Sequence, residues 1–547
     1  METVEQKRPF GMRDKVSYAA GDLGCNMSFS LKGTLQTFWL VYMTMETGLL
    51  SLLLLVVQIW DAINDPLIGS MIDADQRKYR MGKFKTYIFF GALGLLIAGS
   101  LCFLPIPKAA LWIKIILFIV GYVVWDAFYT VANVPYGSML SLITEDVNER
   151  AQLSTWRSIG SMIGNILPMV LLPIIIWRDH LYDGSGVIPG LDGTYHTNPI
   201  TNKAYKIGEQ MINPLTHAGV QDLLGQNVFW AALIMGILGF IFFLFTIKNT
   251  TLRVDESTVK IEEKGQKVNI FRSFGTFLKN RPAVGATVAA MAMFLGMNSA
   301  STATTIMFAT HFGIASLSGI VSVIGFLPVL FFMPFINKIV SKYGKKEAST
   351  VGALVSLGGA VIMLVFPMIK NTTLSLVVYI IALAIFGIGM GFYTCVSWAM
   401  MADAIDYNEW KTGSRDEGTV YSLHSFFRKL AQGVGPSIVL LIMGALGYVS
   451  DLGTVGQSAQ TALNMCWLVA GLYLFSAILM LVGLAVIYNL NKPALEKMSA
   501  ELNARHSTQV NVAEAVNVVV ENAANETKSL SEEVSEASNV LDNEEKE

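Results

Sequence analysis

The chain has 547 residues, 53% of them apolar and only 15% charged, with a net charge of −2. About a quarter of an ordinary soluble protein is charged, so a water-soluble globule is excluded, as is a disordered, collagenous or disulfide-rich chain. The charge is also uneven: residues 491–547 hold 12 acidic and 5 basic side chains, which leaves +5 on the first 490 and marks a polytopic membrane protein.

A bilayer span takes about 20 mainly apolar residues as a helix, and that ruler gives twelve candidates in chain order. Residues 1–16 are polar and mixed in charge, a cytoplasmic N-terminus rather than a signal or transit peptide. Span one, 17–44, places Asn26 four residues after Asp22 on one helix face and carries Lys32 deeper in. Span two, 50–73, reads QIWDAINDP: Asp61 and Asp65 are four apart, with Gln58 one turn earlier on the same face. Like charges at that spacing repel, and burial adds to the penalty. A bound cation relieves both, a proton by neutralising one carboxylate or a sodium ion by bridging the oxygens. Pro66 frees a backbone carbonyl as a further ligand. The competing reading is a doublet locked by interhelical salt bridges to Lys429 or Lys32.

The segment after span two, DADQRKYRMGKFK, holds Arg77, Lys78, Arg80, Lys83 and Lys85. Span three is 86–106. Span four, 111–143, contains WDAFYTVANVPYGS, which puts Asp126, Tyr129 or Thr130, and Asn133 on one face above a kinking Pro135. Asp126 is either a second ion or sugar group or a helix–helix hydrogen-bond partner. Span five, 151–177, carries Arg157, which either grips a hydroxyl or carboxylate or snorkels to the near membrane surface. The stretch 179–227 is rich in Gly, Pro, Asn and Thr; it reads as an external linker or as a cap over a cavity. Span six, 228–247, leads to a basic linker, 248–282.

Spans seven to twelve are 283–311, 315–340, 347–369, 374–402, 418–447 and 461–489. The turn after span eight, FINKIVSKYGKKE, repeats the basic turn after span two. With Lys and Arg concentrated in these connections, they and both termini face the cytoplasm of a plasma (inner) membrane. The pattern is an all-α fold of two six-helix bundles, 17–247 and 283–490, with a substrate site near the midplane between them. Span eleven adds His424, Arg428 and Lys429. His424 either carries a proton or is a structural helix histidine. Lys429 supplies +1 against the −2 of Asp61 and Asp65, so one further cation completes the cluster and can select between conformations. Trp125, Tyr129, Tyr393 and Trp398 either stack on a sugar ring or belong to helix packing. Cys25, Cys102, Cys395 and Cys466 lie in apolar stretches and read as buried small side chains. The acidic tail 491–547 reads as disordered.

The motifs WDAINDP and GKFK around span two, NVPYGS in span four, and ADAIDYNEWKTGSRDEGTVYS with FFRK around span eleven resemble the glycoside–pentoside–hexuronide:cation symporters of the major facilitator superfamily. The resemblance covers roughly residues 10–490 in order. It implies that Asp61 and Asp65 take part in cation and sugar binding, that Lys429 is the functional lysine of span eleven, and that Arg157 lies near the sugar. Where the melibiose type has aspartates on spans one and four, this chain has Asn26 and Asn133, and an aromatic is replaced by Gly137. These departures point to the branch carrying glucuronides, xylosides and related glycosides. Lys32 is then a partner for an acidic sugar or, preferentially, for Asp61.

The expected function is import of a glycoside or short oligosaccharide by cation symport, H⁺ before Na⁺, through alternating access. Asp61 and Asp65 bind the cation and Lys429 balances charge. Asn26, Asp126, Tyr129, Asn133 and Arg157 line the sugar site. Asp403, Asp406, Glu409, Lys411 and Arg415 form a cytoplasmic gate opposite the basic turn 77–85. The chain acts as a monomer in the bilayer, without a cofactor, resident metal or nucleic-acid partner. A carrier of lysolipids on the same scaffold is the alternative. A polytopic enzyme or receptor is more remote, because the sequence has no nucleotide-binding glycine loop, metal-ligand cluster or nucleophile–base arrangement.

Overall fold

The computed structural model describes residues 8–505 apart from 76, 78, 145, 254–269, 333 and 414–416. The first half runs α1 (Met12–Phe29), α2 (Leu31–Thr37), α3 (Thr47–Ala74), α4 (Lys83–Leu101), α5 (Leu111–Ile143), α6 (Val147–Ile176) and α7 (Gly225–Asn249). After α8 (Ile270–Lys279) come α9 (Arg281–Phe294), α10 (Ala300–Met307), α11 (Ser318–Phe332), α12 (Ile336–Tyr343), α13 (Lys345–Met363), α14 (Thr372–Thr412), α15 (Glu417–Ala445) and α16 (Ala459–Leu481). Among the described residues nine helices are long and apolar enough to cross a membrane. The other three expected spans are one, two and seven. Span one is broken by Ser30 into α1, α2 and a π-helical turn at Phe38–Tyr42, and span seven by π-helical turns at Leu295–Ser299 and Phe308–Phe312. Span two is one helix, α3, whose Thr47–Asp61 portion is apolar.

Within the first half the helices approach through small residues, as membrane packing favours. A Cβ on Gly160 of α6 would lie 2.1 Å from the Ala19 carbonyl oxygen of α1, and one on Gly164 would lie 2.8 Å from that of Leu23. The second half repeats the device between α13 and α14, where Gly352 and Gly389 each face the other's carbonyl. At the start of α1, the buried Asp14 binds Arg8 at 2.6 Å and Arg253 at 2.8 Å, tying that end of the helix to the chain beyond α7. Cys25, Cys102 and Cys466 are buried and Cys395 partly so; all four are free thiols.

The halves meet near the starts of α3 and α11 and towards the ends of α6 and α15. There Ser51 Oγ of α3 donates to the Ser437 carbonyl of α15 at 2.7 Å, and Gly319 of α11 sits against the Met169 carbonyl of α6. The stretch expected as a linker or cap is an ordered module. Strands β1 (Trp177–Asp179) and β2 (Gln221–Leu223) pair antiparallel at its base. Three turns follow one another, closed by Tyr195 N donating to Gly186 O, Tyr205 N to His196 O and Val220 N to Met211 O at 2.6, 2.9 and 2.9 Å. Each holds one proline, Pro189, Pro199 or Pro214. In the last two, Asn198 Oδ1 and Asn213 Oδ1 accept from the backbone just beyond the proline, and Asn202 and His217 adopt positive φ. Ile188, Tyr205, Met211 and Val220 form a small core completed by Val455 of the second half. Asn213 Nδ2 donates to the Val455 carbonyl at 2.7 Å, and Gln221 Nε2 to Ser316 Oγ at 3.2 Å.

The expectation of disorder from residue 491 onward is corrected at its near end. Residues 492–505 are a helix, α17, whose Met498 and Leu502 are buried beside Trp410 and Tyr407. Trp410 Nε1 donates to Glu501 Oε2 at 2.6 Å. Burial of these two apolar side chains, four apart on one face of α17, accounts for the docking. Residues 506–547, and the linker portion 254–269, lie outside the described residues.

Candidate functional site

The close approach of α1 and α6 at Gly160 brings Asp22 to Arg157, whose Nε donates to Asp22 Oδ1 at 3.1 Å. Asn26 Nδ2 donates to Asp22 Oδ2 at 3.1 Å, and Asn165 Nδ2 donates to Asn26 Oδ1 at 2.9 Å. The guanidinium also lies 5.1 Å above the Tyr136 ring, which stacks on Tyr18. Arg157 is therefore held inside the bundle and does not snorkel. Asn165 was not evident from the sequence, although Arg157, Ser161 and Asn165 repeat at intervals of four on one face. Gly137 opens space here: a Cβ on it would lie 3.8 Å from Arg157 Nη1.

A second cluster joins α2, α3 and α5. Lys32 Nζ donates to Asp126 Oδ1 at 2.8 Å and lies 5.0, 5.6 and 5.8 Å from the ring centres of Phe29, Tyr122 and Tyr129. The preferred Lys32–Asp61 pair is thus corrected: the aromatic cage of α1 and α5 holds the ammonium against Asp126. Asp126 Oδ2 is buried and receives no hydrogen bond from an N–H or hydroxyl. The Asp61 carboxyl is its neighbour at hydrogen-bonding range, and the charges of Lys32 and Lys429 both act on Asp61. Gln58 Nε2 reaches Tyr122 Oη at 3.2 Å. The side chain of Asp65 lies outside the described residues. Asn133 accepts a long contact from Cys25 Sγ at 3.8 Å, and Tyr129 packs against Phe29 at 5.5 Å. Spans one and four thus still carry buried carboxylates, Asp22 and Asp126, each paired with a base.

On span eleven, His424 is buried, its Nδ1 paired with Thr287 Oγ1 at 2.9 Å and its ring edge-on to Trp398, the structural reading of that residue. Trp125 and Tyr393 belong to packing: both are buried, with Trp125 Nε1 bonded to Ser28 Oγ and Tyr393 Oη to the Ala286 carbonyl. Trp398 is half-exposed and stacked on Tyr421. The Arg428 guanidinium lies 5.1 Å from the Trp398 ring and 5.5 Å from Phe294, and its buried Nε has no hydrogen-bond partner.

Towards the end of α14, Asp403 takes Lys345 Nζ on both oxygens at 2.7 Å, a partner the sequence did not single out. Lys411 sits 4.6 Å over the Trp410 ring, and Asp406 and Glu409 share that end of α14. Arg415 lies outside the described residues. In the first half, Asp75 accepts from Tyr79 Oη at 2.5 Å and Tyr87 Oη at 2.7 Å, and these hydroxyls hold its carboxyl at about 2, below the ordinary 3.8.

Residues 17–492 match the family described as "MFS/sugar transport protein". The chain is 27% identical to the isoprimeverose transporter of Lactiplantibacillus pentosus, over 93% of this chain and 94% of that one. It is 27% identical to the glucuronide carrier protein homolog of Escherichia coli (strain K12), over 80% and 85% respectively. A crystal structure of a D-xylose-proton symporter superposes with a TM-score of 0.51 at 14% identity, covering 85% of this chain and 95% of that one, and shares the fold.

Proposed function

Because the chain belongs to the MFS/sugar transport family, and is a multi-pass membrane transporter rather than an enzyme, we propose that it imports a glycoside or short oligosaccharide with a proton by alternating access. The observation that carries this reading is the orphaned oxygen Asp126 Oδ2 beside the Asp61 carboxyl. Two carboxyl groups at such range lack a donor, and a proton supplies it. A sodium ion needs several oxygen ligands around one point, whereas Lys32 already occupies the other Asp126 oxygen. Lys429 balances the charge of Asp61, and Asp65 completes the doublet. Asn26, Tyr129, Asn133, Asp126 and Arg157 offer amides, a ring and charged groups to sugar hydroxyls.

In this reading the Lys- and Arg-rich side is cytoplasmic in the plasma (inner) membrane, and the protein works as a monomer. Asp403, Asp406, Glu409, Lys411 and Arg415 exchange partners at the cytoplasmic gate, with the turn 77–85 as counterpart. Concentrated paired charge near the centre favours a polar cargo over a lysolipid. Uptake of labelled glycosides into vesicles, with proton and sodium gradients imposed separately, tests the proposal. Uphill uptake driven by the proton gradient alone is expected; uptake that follows only sodium overturns the choice of ion, and uptake of no sugar overturns the cargo.

A further inference from the structure

Resting on that reading of a proton-coupled sugar carrier, we infer that its substrate bears one negative charge, on a carboxylate or sulfonate group, and that Arg428 binds it. Towards the middle of the spans the sequence places four acids, Asp22, Asp61, Asp65 and Asp126, against four bases, Lys32, Arg157, Arg428 and Lys429. The bases are not equally engaged. Arg157 holds Asp22 and Lys32 holds Asp126, while Lys429 acts on Asp61. Arg428 makes no hydrogen bond or ion pair with a described residue. It has aromatic faces instead, Trp398 and Phe294, with Tyr421 and, from the first half, Tyr129 nearby. Those faces orient the planar fork, and its buried Nε has no acceptor among the described residues. A guanidinium kept in that condition inside a bundle is costly unless a ligand supplies the missing anion.

The same arithmetic ties the anion to the proton. Four acids and four bases sum to zero, so a proton entering between Asp61 and Asp126 takes the set to +1. An anionic group on Arg428 returns it to zero. Proton and substrate then cross as a neutral pair, whereas either alone leaves uncompensated charge in the membrane. Trp398, half-exposed and stacked on Tyr421 at 5.6 Å, offers a ring face to the pyranose beside the fork.

The test uses the full chain in proteoliposomes with matched labelled pairs: methyl uronides against methyl glycosides of glucose and galactose, and 6-deoxy-6-sulfoglucose against glucose. An anionic member is expected to enter at least about ten-fold faster than its neutral partner, and the two arms separate carboxylate from sulfonate. Its accumulation should follow the pH gradient and ignore a potential set with valinomycin. Arg428→Gln should lower anionic uptake about 100-fold, with Arg428→Lys intermediate. Equal uptake of neutral and anionic sugars, or accumulation driven by the potential, overturns the inference while leaving the sugar-carrier reading standing. Uptake of no sugar under either gradient overturns that reading and this inference with it. Should Arg428→Gln fail to fold, the native chain's selectivity and its indifference to potential decide the matter.

Discussion

Lys32 and Asp126 form an ion pair 2.8 Å long between α2 and α5, with Asp126 only 2% exposed and three aromatic rings around the ammonium. Removing one member of a buried pair leaves a charge without compensation, at a cost of about 3–5 kcal/mol. Lys32→Ala should therefore unfold at lower temperature than the double variant Lys32→Ala with Asp126→Asn. Thermal unfolding in detergent across the full cycle checks this, and equal midpoints for the two variants would show the pair to be incidental.

Asp61 is predicted to couple the proton without being needed to hold sugar. Asp61→Asn should abolish uphill accumulation while sparing exchange of labelled for unlabelled sugar across the vesicle membrane. Accumulation at the native level in this variant would remove Asp61 from the coupling step.

Gly160 sets the distance between α1 and α6 on which the Asp22–Arg157 pair depends. Gly160→Val should push the helices apart, destabilising the protein by about 1–3 kcal/mol or more and weakening sugar binding. Gly358→Ala, where nothing lies within 4 Å of an added Cβ, should leave the melting temperature nearly unchanged. The contrast between the two melting curves is the measurement.

The carboxyl of Asp75 titrates at about 2 in the folded chain against an ordinary 3.8. A depressed value means that its contribution to stability is complete above the ordinary value. That contribution is lost as the pH falls from about 4 through 2. Tyr79→Phe with Tyr87→Phe should raise the Asp75 value and flatten this acid limb. Unfolding followed between pH 5 and pH 2 for the native and doubly substituted chains gives the answer.

Asn213 both caps its own turn, through Leu215 N, and reaches the Val455 carbonyl. Asn213→Ala should weaken the module locally by about 1–2 kcal/mol. The segment 179–223 should then show faster hydrogen exchange or proteolytic nicking, while the transmembrane helices remain as protected as before.

The spans and the ionisable residues within them were legible because charge and lipid are so poorly matched that each such residue stands out. Which acid meets which base was not. Lys32 reaches Asp126 rather than Asp61, and Arg157 reaches Asp22, because helix approach decides the pairing, and that approach rests on residues as plain as Gly160 and Ala19. Lys345 was visible only as one more cytoplasmic-side charge until its contact with Asp403 gave it a place. In the long connection, the prolines and asparagines announced turns, but nothing in their spacing told that the last turn would fasten onto Val455. The helix at 492–505 was hidden by the acidic composition around it.

Val455 belongs to one half by sequence and to the other half's small core by position. Parting the halves on that side would strip a hydrophobic plug from its socket and break the Asn213 and Gln221 bonds together. The apolar contact and the two hydrogen bonds would be lost in the same movement. A loop that composition would dismiss as slack thereby sets a threshold that any widening of that mouth must first overcome.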